Sequence, residues 1–185
     1  MKHPINRTTI REGLKAVDLV ICDMDGTLRR CTVKGRNTPY RPGEWELMPH
    51  VRETFALVDW TRMRIAVATN QPDVAEGKVS LRMARALIHD ALDEAGVPAE
   101  RRYVEICPHP KHADCVCAKP RPGMLVRLLD SARVTPGRAL AIGNAAIDRR
   151  AAKRADVRYM DMNEFFGQKK VLGAVKRMTE AITPA

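Results

Sequence analysis

Apolar residues along the chain fall into two kinds of run. Short, nearly unbroken stretches recur at 17–22, 64–69, 103–107, 138–143 and, more weakly, 157–160. Runs this short, apolar at successive rather than alternate positions, read as strands buried on both faces. Between them the apolar spacing changes to every third or fourth residue, the period of one helix face. Val51, Phe55 and Val58 form one such face, and Leu81, Ala84, Leu87, Ile88, Ala91, Leu92 and Ala95 a second. Gly96-Val97-Pro98 stops the second. Met124, Leu125, Leu128 and Leu129 begin a third after Pro122-Gly123, and 145–155 fits a fourth. Strands alternating with helices imply crossover units, so the predicted fold is α/β: a Rossmann-like three-layer sandwich with a mainly parallel sheet. It is expected to occupy 1–167. Residues 168–185, with Val171, Leu172, Val175 and Met178 on one side, are expected to form a helical tail.

Ligands of such folds sit beyond the carboxyl ends of the strands, so the residues after each run carry the chemistry. The first run leads into Asp23-Met24-Asp25-Gly26-Thr27-Leu28. Two carboxylates two positions apart beyond a strand point the same way, and Gly26 permits a sharp turn. One carboxylate could attack phosphorus while the other handles the leaving-group proton. Like charges this close call for a cation, and an oxygen-liganded Mg²⁺ fits. A solvated Asp-Gly turn is the plainer alternative.

Charge and cysteine content sharpen the picture. The chain has 185 residues with 32 Lys and Arg against 22 Asp and Glu, a net charge of +10. That balance favours anionic partners without choosing among them. The first eighteen residues lack the apolar core of a secretory signal, and no run is long enough to span a membrane, so a cytoplasmic protein is expected, more a monomer than an oligomer. Three of the five cysteines crowd together as Cys107-x-His109-x₅-Cys115-x-Cys117. Three thiolates and an imidazole make a tetrahedral zinc set with no open position, which reads as structural Zn²⁺. His112 is a rival ligand, and reduced, metal-free cysteines are the other reading.

The motif Asp23-Met24-Asp25-Gly26-Thr27-Leu28 resembles the signature of the haloacid dehalogenase (HAD) superfamily. Further stretches in order are similar to its branch containing histidinol-phosphatase and D,D-heptose 1,7-bisphosphate phosphatase. They are Thr69-Asn70-Gln71 after the second strand, the cysteine cluster followed by Lys119-Pro120 after the third, and Gly143-Asn144 with Asp148 after the fourth. Together they span roughly residues 17 to 160. The resemblance implies a Mg²⁺-dependent phosphomonoesterase working through an aspartyl-phosphate. By position it implies Asp23 as nucleophile and Asp25 as general acid and base. Thr69, Asn70 and Lys119 would bind phosphate. The Asp23 carboxylate, the Asp25 carbonyl, Asn144 and Asp148 would bind Mg²⁺, and Cys107, His109, Cys115 and Cys117 would bind zinc. The implied substrate is a small phosphorylated metabolite such as a sugar phosphate or histidinol phosphate.

Two positions depart from the pattern. Asn144 stands where the superfamily usually has a metal-binding Asp, and an amide oxygen brings no charge to the metal. Ala118 stands where the heptose-bisphosphate phosphatases carry an Arg that contacts substrate phosphate. Residues 26 to 43 hold no acid but include Arg29, Arg30, Lys34, Arg36 and Arg41. This basic segment is expected to form a loop or small flap over the site. It suits an extended anion, a nucleotide or a polynucleotide 3′-phosphate end, with Tyr40 and Trp45 available for stacking. A solvated basic loop accounts for it equally well. A catalytically weakened protein that binds anions or nucleic acid is the rival from another class.

Overall fold

A computed structural model describes Leu14 and residues 16–167. The tail expected over 168–185 lies outside the described residues. Five parallel strands form one sheet: β1 (Leu19–Cys22), β4 (Arg64–Asn70), β5 (Arg102–Cys107), β6 (Ala139–Gly143) and β7 (Arg158–Asp161), in the order β5-β4-β1-β6-β7. Every pairing among them is parallel. The α/β fold expected from alternating strands and helices is therefore the fold observed.

Strand side chains alternate between two cores. On β1, Val20 and Cys22 face one core, and Leu19 and Ile21 face the other. On the first face Ile65 and Val67 of β4 and Leu140 and Ile142 of β6 meet helix α2 (Leu81–Glu94) through Ile88, Ala91 and Leu92. Helices α1 (Val51–Phe55) and α5 (Met162–Phe165) add Phe55 and Phe165 to the same core. The second face carries small residues, Ala66, Ala68, Ala139 and Ala141, under α3 (Gly123–Ala132) and α4 (Ala146–Arg154). Small strand residues let those helices approach closely, and the heavier aliphatic residues of α3 fill the space. Among the described residues no helix is long and apolar enough to cross a membrane.

The segment after β1 is more ordered than a loop. Strands β2 (Arg29–Cys31) and β3 (Trp45–Leu47) pair antiparallel, with Arg29 opposite Leu47 and Cys31 opposite Trp45. Leu28 is buried at the base of this hairpin, and Trp45 and Leu47 pack against the first core. The hairpin is thus anchored by its apolar residues and carries its connecting loop over the carboxyl end of the sheet.

Candidate active site

The four strand ends singled out from the sequence converge on one cavity of about 860 Å³ at the carboxyl edge of the sheet. Asp23, Asp25, Thr69, Asn70, Lys119, Asn144 and Asp148 all line it. Asp23 follows β1, and its backbone N–H donates to the Ile142 carbonyl at 2.9 Å, which continues the β1–β6 pairing one step into the site. Its two carboxylate oxygens have different neighbours. Oδ1 lies 2.7 Å from Lys119 Nζ, and Oδ2 accepts from Thr27 Oγ1 at 3.2 Å.

Asp25 is held from both sides. Its Oδ1 accepts from Arg29 Nε at 2.9 Å and its Oδ2 from Gln71 Nε2 at 2.6 Å. Burial pushes its carboxyl above the ordinary aspartate range, against the opposing pull of the Arg29 guanidinium. Gln71 Nε2 also donates to Thr69 Oγ1 at 2.9 Å. The Thr69 hydroxyl proton is thereby left available to a ligand. Gln71 was not among the expected site residues. Its sequence signal was its place immediately after Thr69 and Asn70 at the end of an apolar run; the structure buries it to 1% exposure, where its amide needs partners.

Lys119 sits between two carboxylates, with its Nζ 2.7 Å from both Asp23 Oδ1 and Asp148 Oδ1. Burial works against its charge, but the two carboxylates outweigh burial and keep Lys119 above the usual lysine range. Burial, reinforced by the neighbouring Asp23 charge, raises Asp148 despite Lys119. Asn70 positions this lysine. Its amide nitrogen donates to the Lys119 carbonyl and its amide oxygen accepts from the Lys119 N–H, both at 3.0 Å. The Asn70 amide, expected on a phosphate, is therefore engaged with backbone, which fixes the segment bearing Lys119.

The donors expected around Mg²⁺ are all oxygens, which suits a hard cation. Thr27 Oγ1 lies 3.2 Å from Asp23 Oδ2 and 3.4 Å from Asn144 Oδ1, so these two oxygens share one side of the cavity. Asp148 Oδ2 accepts from the Ala145 N–H at 3.0 Å and caps α4. Its Oδ1 is buried and faces the Lys119 ammonium at 2.7 Å. The Asp23 carboxylate and the Asn144 amide oxygen, gathered beside this carboxylate, are the donor types a hard cation takes. Gly26 makes this crowding feasible. Its φ is +88°, and a Cβ there would stand 2.4 Å from Asn144 Nδ2.

The five basic residues expected over the site divide. Arg30 and Arg36 line the cavity. Arg30 pairs with Glu46, and Arg36 pairs with Glu44 and stacks on the Tyr40 ring at 4.3 Å. Lys34 and Arg41 are exposed and outside the lining. Arg29 does not face substrate space at all: it is 1% exposed and turned inward to Asp25 and to the Leu87 carbonyl. The cause is its place in β2: directly opposed residues share one face of the hairpin, and Leu47 on that face packs against the first core. Lys78 and Lys111, which the sequence did not single out, complete the cationic lining. Trp45 packs against the core and is not part of the lining, whereas Tyr40 is.

Beside the cavity, Cys107, His109, Cys115 and Cys117 bring their ligand atoms within 4.8 Å of one another. Cys107 Sγ lies 3.6 Å from Cys115 Sγ and 3.3 Å from Cys117 Sγ, and His109 Nδ1 lies 3.2 Å from Cys117 Sγ. A tetrahedron with Zn–S bonds of about 2.3 Å has edges of about 3.8 Å, so the donor set fits zinc in type and spacing. His112 lies outside this group, whose one nitrogen is His109 Nδ1. Cys107 ends β5 and Cys117 lies two residues before Lys119, so a metal here would tie the Lys119 segment to the sheet. Gly123 lets this loop rest on the start of α3, since a Cβ there would meet the Val116 carbonyl oxygen at 2.3 Å.

No sequence-family profile matches the chain. Among curated proteins it is 30% identical over 146 residues to the D-glycero-beta-D-manno-heptose-1,7-bisphosphate 7-phosphatase of Bordetella bronchiseptica, a match covering 74% of this chain and 75% of that one. The enzyme of the same name from Pseudomonas aeruginosa is 30% identical over 116 residues, 61% of this chain and 64% of its own. That match spans just under two thirds of the Pseudomonas relative's length. Among solved structures, D,D-heptose 1,7-bisphosphate phosphatase from B. bronchiseptica, complexed with magnesium and phosphate, superposes with a TM-score of 0.66 at 21% identity over 89% of this chain and 99% of that one. A HAD-like phosphatase from Mesorhizobium loti superposes at 0.63 with 23% identity, over 88% and 87% of the two chains. These two structures share the fold; the Bordetella sequence match carries the relationship. The chain belongs to the haloacid dehalogenase superfamily of phosphatases, in the family of these heptose-bisphosphate phosphatases.

Proposed function

We propose that this protein hydrolyses phosphate monoesters of small phosphorylated metabolites, sugar phosphates foremost, through an aspartyl-phosphate on Asp23. The observation that carries this reading is the pairing of two unlike carboxylates at one strand end. Asp23 faces the Lys119 ammonium at 2.7 Å, while Asp25 is buried, raised and held by neighbouring donors. Environments that push two nearby carboxylates apart divide the labour between nucleophile and proton donor.

In the first step a carboxylate oxygen of Asp23 forms a bond to phosphorus as the ester P–O bond breaks. The leaving oxygen takes the electron pair of that bond and the proton of Asp25. Lys119 and the Thr69 hydroxyl hold the non-bridging oxygens, where negative charge is spread in the transition state. In the second step Asp25, now ionised, takes a proton from water as the water oxygen attacks phosphorus. Phosphate leaves, and the Asp23 carboxylate is regenerated. Mg²⁺, held by the Asp23 carboxylate, the Asp25 carbonyl, Asn144 and Asp148, would add positive charge beside the transferring group. Zinc at Cys107, His109, Cys115 and Cys117 would be structural.

Several features support a substrate larger than phosphate itself. The cavity holds far more than one phosphate, and Arg30, Arg36, Lys78 and Lys111 ring it. The relatives act, by name, on a heptose bisphosphate. A panel with and without Mg²⁺, covering sugar phosphates, histidinol phosphate, nucleotides and 3′-phosphorylated oligonucleotides, tests the reading. Mg²⁺-dependent phosphate release, fastest on a sugar phosphate, is expected. Faster release from the nucleotide or oligonucleotide moves the substrate class. Binding of oligonucleotide without release from any substrate identifies a non-catalytic anion binder and overturns the reading.

A further inference from the structure

Arg29 is the one cation of the basic segment that the fold buries, and its surroundings are those of a built site. Its side chain is held at two points. Nε donates to Asp25 Oδ1 at 2.9 Å, and an η-nitrogen donates to the Leu87 carbonyl of α2 at 2.7 Å. Its own carbonyl accepts from the Gly26 N–H at 2.7 Å, which closes the turn that carries Asp25. On the opposite carboxylate oxygen, Gln71 Nε2 donates at 2.6 Å and is itself steadied by Thr69 Oγ1 at 2.9 Å. Arg29 and Gln71 are each 1% exposed. The Asp25 carboxylate is therefore fixed in rotation by one donor on each oxygen, anchored to two different elements. Each oxygen keeps a second lone pair for the cavity.

We propose that Arg29 is a positioning residue for proton transfer: with Gln71 as its counterpart, it aims the Asp25 carboxyl at the oxygen of the leaving group. The inference rests on the phosphatase reading above and goes beyond it by assigning a residue that touches neither substrate nor metal. Its consequence follows from the bond that breaks. When the P–O bond of an alkyl ester breaks, the departing oxygen must receive the Asp25 proton. An aryl oxygen of low pKa carries the electron pair away without one. A misaimed Asp25 should therefore slow alkyl esters and spare aryl esters. A residue that merely supports the fold would lower both alike.

The test compares kcat/KM, which reports the steps through loss of the leaving group, for p-nitrophenyl phosphate and for the best alkyl ester of the panel. The proteins are wild type, Arg29→Met, Arg29→Lys and Gln71→Leu, with concentrations corrected for the folded fraction read from thermal melting. For Arg29→Met we expect a loss of about 10²-fold on the alkyl ester and of less than about threefold on the aryl ester. Arg29→Lys keeps the charge but lacks the fork that reaches both partners, and should fall between Arg29→Met and wild type. Should Arg29→Met fail to fold, Gln71→Leu makes the comparison from the other oxygen, read as the extra loss on the alkyl ester beyond the loss common to both esters that follows from freeing Thr69. Equal losses on the two substrates, or no loss on either, overturn the proposal while a working wild type leaves the phosphatase reading standing. A wild type inactive on both esters overturns the reading itself, and this assignment with it.

Discussion

At the scale of single residues, the site is a set of charges whose identities are set by what lies within hydrogen-bonding distance. Asp25 and Asp23 are two positions apart, yet only Asp25 is enclosed by Arg29 and Gln71, and burial raises it. A carboxyl with a raised pKa keeps its proton to higher pH, so the acid form persists above the pH of about 4 at which an ordinary aspartate loses it. As pH climbs through the Asp25 value that form disappears, and kcat/KM for an alkyl ester should fall on the alkaline side. Asp25→Asn should remove this limb and lower the rate by about 10²–10⁴-fold; a pH profile of both proteins checks this. Asn144 makes a second prediction. Its amide oxygen shares Thr27 with Asp23 but brings no charge. Asn144→Asp should therefore lower the Mg²⁺ concentration needed for half-maximal activity, read by titrating both proteins. Equal Mg²⁺ dependence would place residue 144 off the metal.

At the scale of elements, the parallel strands were legible because each is covered on both faces and so reads as an apolar run. The run at 64–69 became Arg64–Asn70, and that at 138–143 became Ala139–Gly143. The strand-end motifs were legible for the same reason, since the end of an apolar run marks the mouth of the sheet. The flap was only partly legible. Its two strands are three residues each, and one begins with two arginines, so neither alternation nor an apolar run announces them. The burial of Arg29 was not legible at all, because its partner carbonyl on Leu87 lies 58 residues away. The zinc set was visible as a spacing, but the choice of His109 over His112 depended on how the loop folds back from β5. That loop carries its own prediction. Protein purified without chelator should contain about one zinc per chain, from the four ligands present. Cys115→Ser should lose zinc and melt at lower temperature. It should also lose activity through the freed Lys119 segment, although Cys115 touches no substrate. Unchanged melting and activity after strong chelation would mean that the cluster is a set of reduced cysteines.

At the scale of the whole molecule, one sheet edge gathers the residues of the proposed reaction. Strand β1 delivers both carboxylates, β4 delivers Thr69 and Gln71, the loop after β5 delivers Lys119, and β6 with the start of α4 delivers Asn144 and Asp148. The order β5-β4-β1-β6-β7 puts β1 at the centre, so Asp23 is flanked by contributions from either side. The hairpin roofs this edge and adds Arg30, Arg36 and Tyr40 to the lining, while a surplus of ten positive charges over the chain favours the approach of anionic substrates. On the proposed mechanism, Asp23 becomes covalently phosphorylated during turnover. The most direct measurement is mass spectrometry of wild-type and Asp23→Asn protein quenched in acid during steady-state hydrolysis of an aryl phosphate with Mg²⁺. A phosphorylated peptide containing Asp23 is expected in the wild type, and neither phosphopeptide nor turnover in Asp23→Asn. Sustained turnover by Asp23→Asn, or phosphate found on another residue, would contradict it.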